Sequence, residues 1–409
     1  MPVGLKKPEV NTILNVPGIK LASVKAGIKY KDRKDLSLIL LDEGSVVSGL
    51  FTKNKFRAAP VQVCQNHLKA GSHKRALLIN TGSANAGTGS EGFDNAMQIC
   101  SELATNLKVQ THDILPFSTG VILTHIPVNK IVGQFTNLMG SLDESHWLEV
   151  AEAIMTTDTV PKAYSKKIKI QNEDIVITGI SKGSGMICPN MATMLAFIGT
   201  NANISESILS RIHKEIVEDS FNAISVDGDT STNDSFILMA TNQAQNKLIS
   251  NEGDKDYEII KEGFFEVAKY LAHSIIRDGE GATKFIHIEV VNGKTKNDCK
   301  EIARKISHSP FVKTALFASD PNLGRILAAI GNADISSLLI DKVDVYLNGL
   351  PFAQNGSIAL NYDEELANIE MKKTEIHLKV DLKIGSEHSS FWTTDLSYDY
   401  VKINAEYRS

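Results

Sequence analysis

The run Leu36-Ser37-Leu38-Ile39-Leu40-Leu41 is almost continuously apolar, and Ala76 to Ile79 repeats the pattern before Asn80-Thr81-Gly82. Successive side chains of a strand point to opposite faces, so a strand this apolar must be covered on both. The chain therefore has to fold in layers around buried strands, and its 42% hydrophobic and 22% charged residues over 409 positions suffice for a large core in two or three structural units. Helical spacing follows in Met97, Ile99, Leu103 and Leu107, and in Ile208, Leu209, Ile212, Ile216 and Val217, with Ser205 placed as an N-cap. Further strands are expected over Ile175 to Ile180, Met194 to Ile198, Phe236 to Ala240 and Phe285 to Val291. Ile376, Leu378, Val380, Leu382 and Ile384 alternate with polar residues, which predicts a sheet with one wet face. Helices are too few to cover every strand of a doubly wound parallel sheet, so an α+β fold of layered mixed sheets and packed helices is expected. Asn80-Thr81-Gly82 reads as a turn and Asn251 to Asp256 as a surface loop, and neither a fixed-period repeat nor a sharp domain boundary is legible.

The charge balance bears on partners. Forty-three basic residues stand against 48 acidic ones, for a net charge of -5, and without a basic block nucleic acid is not an expected partner. Cys64, Cys100, Cys188 and Cys299 are widely spaced with no Cys-x-x-Cys pair, which suits a reducing compartment. No His-Glu-x-x-His occurs, and the alternating aspartates of Ser225 to Asp234 lack the glutamate that closes a calcium loop, so no metal is expected. Met1 to Lys20 lacks the layout of a secretory signal and no apolar run approaches the ~20 residues of a membrane span, so a cytoplasmic protein is expected.

The most unusual segment is Lys182-Gly183-Ser184-Gly185-Met186-Ile187-Cys188-Pro189-Asn190-Met191-Ala192-Thr193-Met194-Leu195-Ala196-Phe197-Ile198. Its first part is too rich in glycine and proline for regular structure, and an apolar strand begins right after Ala192, which puts Thr193 at a loop-to-strand junction. One reading is a β-branched residue opening a strand. The other is chemical. Attack by the Thr193 hydroxyl on the Ala192 carbonyl would turn the amide into an ester, and hydrolysis would free an α-amine on Thr193. Such an amine has a pKa of about 7.7 to 8.0, so one residue would supply nucleophile and base near neutral pH.

Seven blocks in order decide between them. The Lys182 to Ile198 run resembles the self-cleavage signature of the ornithine acetyltransferase (glutamate N-acetyltransferase) family. So do Asn80 to Ala86, Ser118-Thr119-Gly120-Val121-Ile122, Met155-Thr156-Thr157-Asp158-Thr159, Asp278-Gly279-Glu280-Gly281-Ala282-Thr283-Lys284, Asp320-Pro321-Asn322 and Ile403 to Ser409. The resemblance covers nearly the whole chain. It implies a self-processing fold of the N-terminal-nucleophile kind, cut between Ala192 and Thr193 into a 1–192 alpha chain and a 193–409 beta chain that assemble as two of each. It also implies that Thr193 carries the acetyl group and that Thr119 and Gly120 form the oxyanion hole. Substrate would be held by Thr156 or Thr157, Lys182, Thr193, Glu280, Asn404 and Ser409. Taken alone, several of these have plainer readings: Ser118-Thr119-Gly120 as a turn, Glu280 as an exposed acidic turn, Lys182 as a solvated lysine. For the terminal contacts to work the chain end must be tied down, and Tyr400, Val401, Ile403 and Tyr407 are the apolar anchors available.

The implied activity moves acetyl from N2-acetyl-L-ornithine to L-glutamate in arginine biosynthesis, with no cofactor and with acetyl-CoA as a further donor that the resemblance allows. The rival is a self-processing amidase or aminopeptidase that hands the acyl group to water. One departure stands out, Leu323 where the family usually has tryptophan before Gly324-Arg325, which predicts altered packing with activity retained.

Overall fold

The computed structural model describes residues 2–29, 31–188 and 194–406. The chain forms two compact units, Lys6–Asn222 with Asp229–Ile275, and Met1–Leu5 with Ala223–Gly228 and Ile276–Ser409. Through residue 240 the strands are β1 (Ile19–Val24), β2 (Leu36–Leu41), β3 (Val46–Phe51), β4 (Ala76–Ser83), β5 (Ile114–Val121), β6 (Lys162–Ile170), β7 (Glu173–Lys182), β8 (Leu195–Thr200), the two-residue β9 (Ile224–Ser225) and β10 (Ser235–Ala240). All but β9 lie in the larger unit.

Two sheets stack there. One has the order β1-β2-β4-β5, with only β4 and β5 parallel; the other has the order β3-β10-β8-β7-β6, with only β10 and β8 parallel. The apolar runs find their two partners in these layers. Ile39, Leu41, Leu77 and Ile79 face a core shared with Leu195, Phe197 and Ile237 of the second sheet. Their neighbours Leu36, Leu38, Ala76 and Leu78 pack instead under Ala96, Ile99 and Leu103 of the helix Gly89–Leu107. Phe117 meets Phe197 edge to face at 5.0 Å across the sheet interface. On the far side of the second sheet, His213 of the helix Glu206–Glu218 stands edge-on to Phe236 at 4.4 Å, and Val267 and Leu271 of the helix Tyr257–Arg277 fill the space above Gly179. The larger unit is therefore helix, sheet, sheet, helix, and the expected α+β layering holds. Each aliphatic side chain taken fully out of water here contributes about 1.5–3 kcal/mol.

Ser205 caps the helix that follows it by accepting from Ile208 N, as its sequence position predicts. Asn80-Thr81-Gly82 is not a turn: it continues β4 in parallel register with Ser118-Thr119-Gly120, and the bulge comes only at Gly82/Ser83. The ladder offered by β5 overrides the local turn preference.

The smaller unit has one sheet, from β11 (Phe285–Gly293), β12 (Asp344–Leu347), β13 (Leu350–Gln354), β14 (Ser357–Ile358), β15 (Glu375–Asp381) and β16 (Glu387–Thr394), ordered β14-β13-β12-β15-β11-β16-β9. Ile376, Leu378 and Val380 of β15 are buried while His377 and Lys379 are half-buried, the one-sided wetting that the alternation predicts. The buried face packs on the helices Lys296–His308, Pro310–Ala318, Leu323–Gly331 and Glu364–Met371. Leu323 is partly buried against this core. Among the described residues no helix is long and apolar enough to cross a membrane.

Candidate active site

The start of β8 is the position that the structure supports most closely. Leu195 pairs with Lys182 of β7 on one side and with Ser235 of β10 on the other. Met194 N–H donates to Asp234 Oδ1 at 3.1 Å, and Ser235 N–H donates to the Met194 carbonyl at 3.0 Å. Ala192 and Thr193, the expected cleavage pair, lie outside the described residues, as does Ser409.

Thr119 and Gly120 end β5 beside β4. Gly120 has φ +130°, and a Cβ there would stand 2.4 Å from the Gly82 carbonyl carbon, so glycine is the residue this approach admits. The two strand ends are locked by polar side chains: Ser118 Oγ donates to Asn80 Oδ1 at 2.5 Å, and Asn80 Nδ2 donates to the Ser83 carbonyl at 2.9 Å. Asn233 then ties this sheet to the other, its Nδ2 donating to the Ala84 and Ser118 carbonyls at 2.7 and 2.9 Å. The dipeptide Asn233-Asp234 is thus a clip, with one side chain on the residue next to Thr119 and the other on Met194.

A second buried group organises the substrate-side residues. Asp158 accepts from Lys162 Nζ at 2.6 Å, from Gly183 N at 2.7 Å and from Thr156 N at 3.0 Å. Burial opposes its charge, yet the Lys162 and Lys182 ammoniums and these donors hold the carboxyl well below the usual carboxylate range. Thr157 shares a hydrogen bond with Ser184 at 2.7 Å. Lys182 is 7% exposed, not a solvated lysine, and lies close enough to act on Asp158 and Asp234 alike. Asp234 goes the other way from Asp158: burial pushes its carboxyl well above the usual range, opposed by the Met194 N–H and the Lys182 charge.

Glu280 and Asn404 lie in the smaller unit and meet each other, Asn404 Nδ2 donating to Glu280 Oε2 at 2.8 Å. Glu280 is 8% exposed rather than on an open turn. Its loop is fixed by Asp395, which accepts from Thr283 N and Lys284 N, and by Ser397 Oγ, which donates to the Gly281 carbonyl. At Gly281, φ +67°, a Cβ would stand 2.4 Å from Tyr400 N, so the C-terminal helix Tyr398–Ala405 packs against this turn only over glycine. Of the apolar anchors expected for that helix, Tyr400 and Ile403 are half-buried, Val401 is 62% exposed and Tyr407 lies outside the described residues, while Tyr398 meets Phe317 edge to face at 5.4 Å. Polar pins add to these contacts, namely Asn404 on Glu280 and Tyr400 Oη on Asp227 at 3.2 Å. A two-turn helix offers too little apolar face to be held by burial, whereas a few side-chain hydrogen bonds fix it.

Asp158, Asn233 and Asp234 were not legible as site residues. They lie inside motifs the sequence does display, Met155 to Thr159 and Ser225 to Asp234, but a carboxylate facing inward to a backbone N–H leaves no periodic signal.

With this geometry in place, similarity to known proteins is informative. Residues 20–409 match the ArgJ family. The arginine biosynthesis bifunctional protein ArgJ of Colwellia psychrerythraea (strain 34H / ATCC BAA-681) is 46% identical over 424 residues, covering 100% of both chains. The crystal structure of arginine biosynthesis bifunctional protein ArgJ from Bacillus halodurans is 34% identical, covering 51% of this chain and 97% of that one, with a TM-score of 0.49. Ornithine acetyltransferase from Mycobacterium tuberculosis, in complex with ornithine, is 28% identical over 43% of this chain and 93% of that one, with a TM-score of 0.37.

Proposed function

Because the chain belongs to the ArgJ family, we propose that it is a glutamate N-acetyltransferase of arginine biosynthesis, which cuts itself between Ala192 and Thr193 and moves acetyl from N2-acetyl-L-ornithine to L-glutamate through acetyl-Thr193. The observation that carries this reading is the framing of the β8 start by Lys182, the Asn233-Asp234 clip and the Thr119-Gly120 strand end.

In the first half-reaction the Thr193 hydroxyl attacks the acetyl carbonyl carbon, its proton passing to the α-amine that cleavage has freed. A tetrahedral oxyanion forms, met by Thr119 and Gly120, and collapses as the C–N bond breaks and ornithine leaves with the proton. Glutamate then attacks the threonyl ester by the reverse sequence, and the same donors serve both halves. The buried Lys182 side chain suits the α-carboxylate that both substrates carry. Thr156 is the threonine assigned to substrate: its backbone N–H is held by Asp158, which leaves its hydroxyl for a ligand, whereas the Thr157 hydroxyl is engaged by Ser184. Glu280 offers the negative group for the ornithine side-chain ammonium, with Asn404 and Ser409 as further contacts. The two fragments, 1–192 and 193–409, are expected to remain joined and pair as two of each, and acetyl-CoA is a further donor that the family resemblance allows.

The test is to incubate the purified enzyme with acetylornithine, with and without glutamate. Acetylglutamate appearing in step with ornithine release is the expected result. Ornithine release that ignores glutamate, with no acetylglutamate, would assign the chain to the hydrolases instead. Lys182→Ala should raise the KM for both substrates by at least about tenfold, the loss of a charge-assisted contact of ~1.5–3 kcal/mol.

A further inference from the structure

Lys313 has no part in the reaction described above, yet it lies inside the smaller unit with 3% exposure. An ammonium taken out of water is unfavourable unless its protons are used and opposite charge stands near. Both conditions hold. From the helix Pro310–Ala318, Lys313 Nζ donates to the Thr394 carbonyl, to Thr393 Oγ1 at 3.0 Å and to Thr394 Oγ1 at 3.4 Å. Burial lowers its pKa to about 8, against the opposing pull of the Asp395 and Asp227 carboxylates.

These bonds fall on the end of β16, immediately before Asp395. The Leu396 N–H donates to the Lys313 carbonyl at 3.3 Å, so one lysine holds the chain on both sides of that aspartate. Asp395 in turn accepts from Thr283 N, Thr283 Oγ1 and Lys284 N, and Ser397 Oγ donates to the Gly281 carbonyl. The glycines flanking Glu280 rest on the same segment: a Cβ at Gly279 would stand 2.9 Å from Thr394 Cγ2, and one at Gly281 would stand 2.6 Å from Ser397 Oγ. Ser397 also caps the helix Tyr398–Ala405, whose Asn404 donates to Glu280 and whose Tyr400 hydroxyl donates to Asp227, the other carboxylate near Lys313. Residues 393–397 are therefore the support from which Glu280 and Asn404 are both placed.

We propose that Lys313 is a positioning residue for the acetylornithine half-reaction: its buried ammonium holds residues 393–397, and through them sets Glu280 to meet the side-chain ammonium of the substrate. The inference rests on the reading of Glu280 given under the proposed function. Filling space does not call for a cation here, since replacing a buried ion by an apolar side chain of similar volume is often neutral for stability. What the cation adds is direction. Charge-assisted donors fix the Thr394–Asp395 peptide, and displacing a binding group by ~1 Å costs on the order of 10²-fold. Glutamate has no side-chain ammonium, so the effect falls on one substrate of the pair.

The experiment is a double-mutant cycle on acetyl transfer by the full enzyme, with Lys313→Met, Glu280→Gln and the pair, each checked for folding by circular dichroism. Lys313→Met is expected to raise the KM for acetylornithine at least about tenfold and to leave the KM for glutamate within about twofold. In the Glu280→Gln background it should add less than about twofold, because a residue that acts through Glu280 has nothing left to position there. Thr393→Val removes one acceptor of Lys313 Nζ and keeps the side-chain shape; it should raise the same KM about threefold, and it decides the matter if Lys313→Met does not fold. An unchanged KM, an equal rise for both substrates, or a rise of the same size in both backgrounds overturns the proposal and leaves Lys313 a structural residue. If Glu280→Gln leaves the KM for acetylornithine at the wild-type value, the Glu280 assignment falls and the proposal with it. Wild type that passes no acetyl group to glutamate would sink the functional reading itself, a result distinct from any of these.

Discussion

At the residue scale, the site depends on a few atoms with no room to move. Gly120→Ala places a methyl 2.4 Å from the Gly82 backbone at a φ that L residues avoid. Overpacking of this kind costs about 1–3 kcal/mol, and the backbone strain adds a similar amount. A lower melting temperature and loss of acetyl transfer are expected together. Asp158→Asn removes the carboxylate to which Lys162, whose side chain is wholly buried, donates at 2.6 Å, which costs about 3–5 kcal/mol in urea unfolding. Because the folded pKa of Asp158 is depressed, its stabilisation is fully present above the unfolded value near ~4 and disappears as pH falls below it. Wild type should therefore lose more stability than Asp158→Asn when unfolding is compared at pH 6 and pH 3, and equal losses would contradict the assignment.

At the scale of elements, the proposed cut separates strands that share one sheet. β7 lies before it, β8 and β10 after it, and β8 is hydrogen-bonded to β7 over Ile177 to Lys182 while β10 pairs with β3. The proposed cleavage would thus leave two chains sharing one sheet, and the fragments are expected to co-elute in native size-exclusion chromatography and to part only in denaturant. The helix Glu206–Glu218 makes a separate prediction. His213 is wholly buried, with Nδ1 on Ser48 Oγ at 2.9 Å and Nε2 unpartnered, and burial lowers its pKa to about 3. The unfolded chain takes up that proton near pH 6.5 and the fold resists it, so stability falls as pH drops from about 6.5 towards 3. His213→Phe should flatten that part of the stability profile. These elements also mark how far the sequence could be read. Strands and helices with clear periodicity, such as Leu36–Leu41, Ile208–Val217 and Ile376–Val380, were legible because burial imposes the period. Asn80-Thr81-Gly82 was not, since its strand conformation is set by β5, distant in sequence, and the C-terminal helix was legible only in part, because Tyr400 and Ile403 are no more than half-buried and side-chain hydrogen bonds to Glu280 and Asp227 add to its contacts.

For the whole molecule, the compact units and the proposed cleavage fragments are different divisions. The larger unit takes strands from both sides of the Ala192–Thr193 bond, and the smaller takes Ala223–Gly228 along with Ile276–Ser409. The order of the seven sequence blocks identified the family, and five of them carry residues assigned to the proposed reaction. Which side chains hold those residues in place became visible only in the fold: Asp158 joins Thr156 to Gly183 across 27 positions, and Asn233 joins two sheets. The central claim is that residue 193 becomes a chain end that carries acetyl. Intact mass spectrometry of the freshly purified protein, before and after brief exposure to acetylornithine without glutamate, tests it in one measurement. The account predicts two polypeptides matching residues 1–192 and 193–409, with one acetyl group added to the second; a single uncut chain, or an acetyl group found elsewhere, would contradict it.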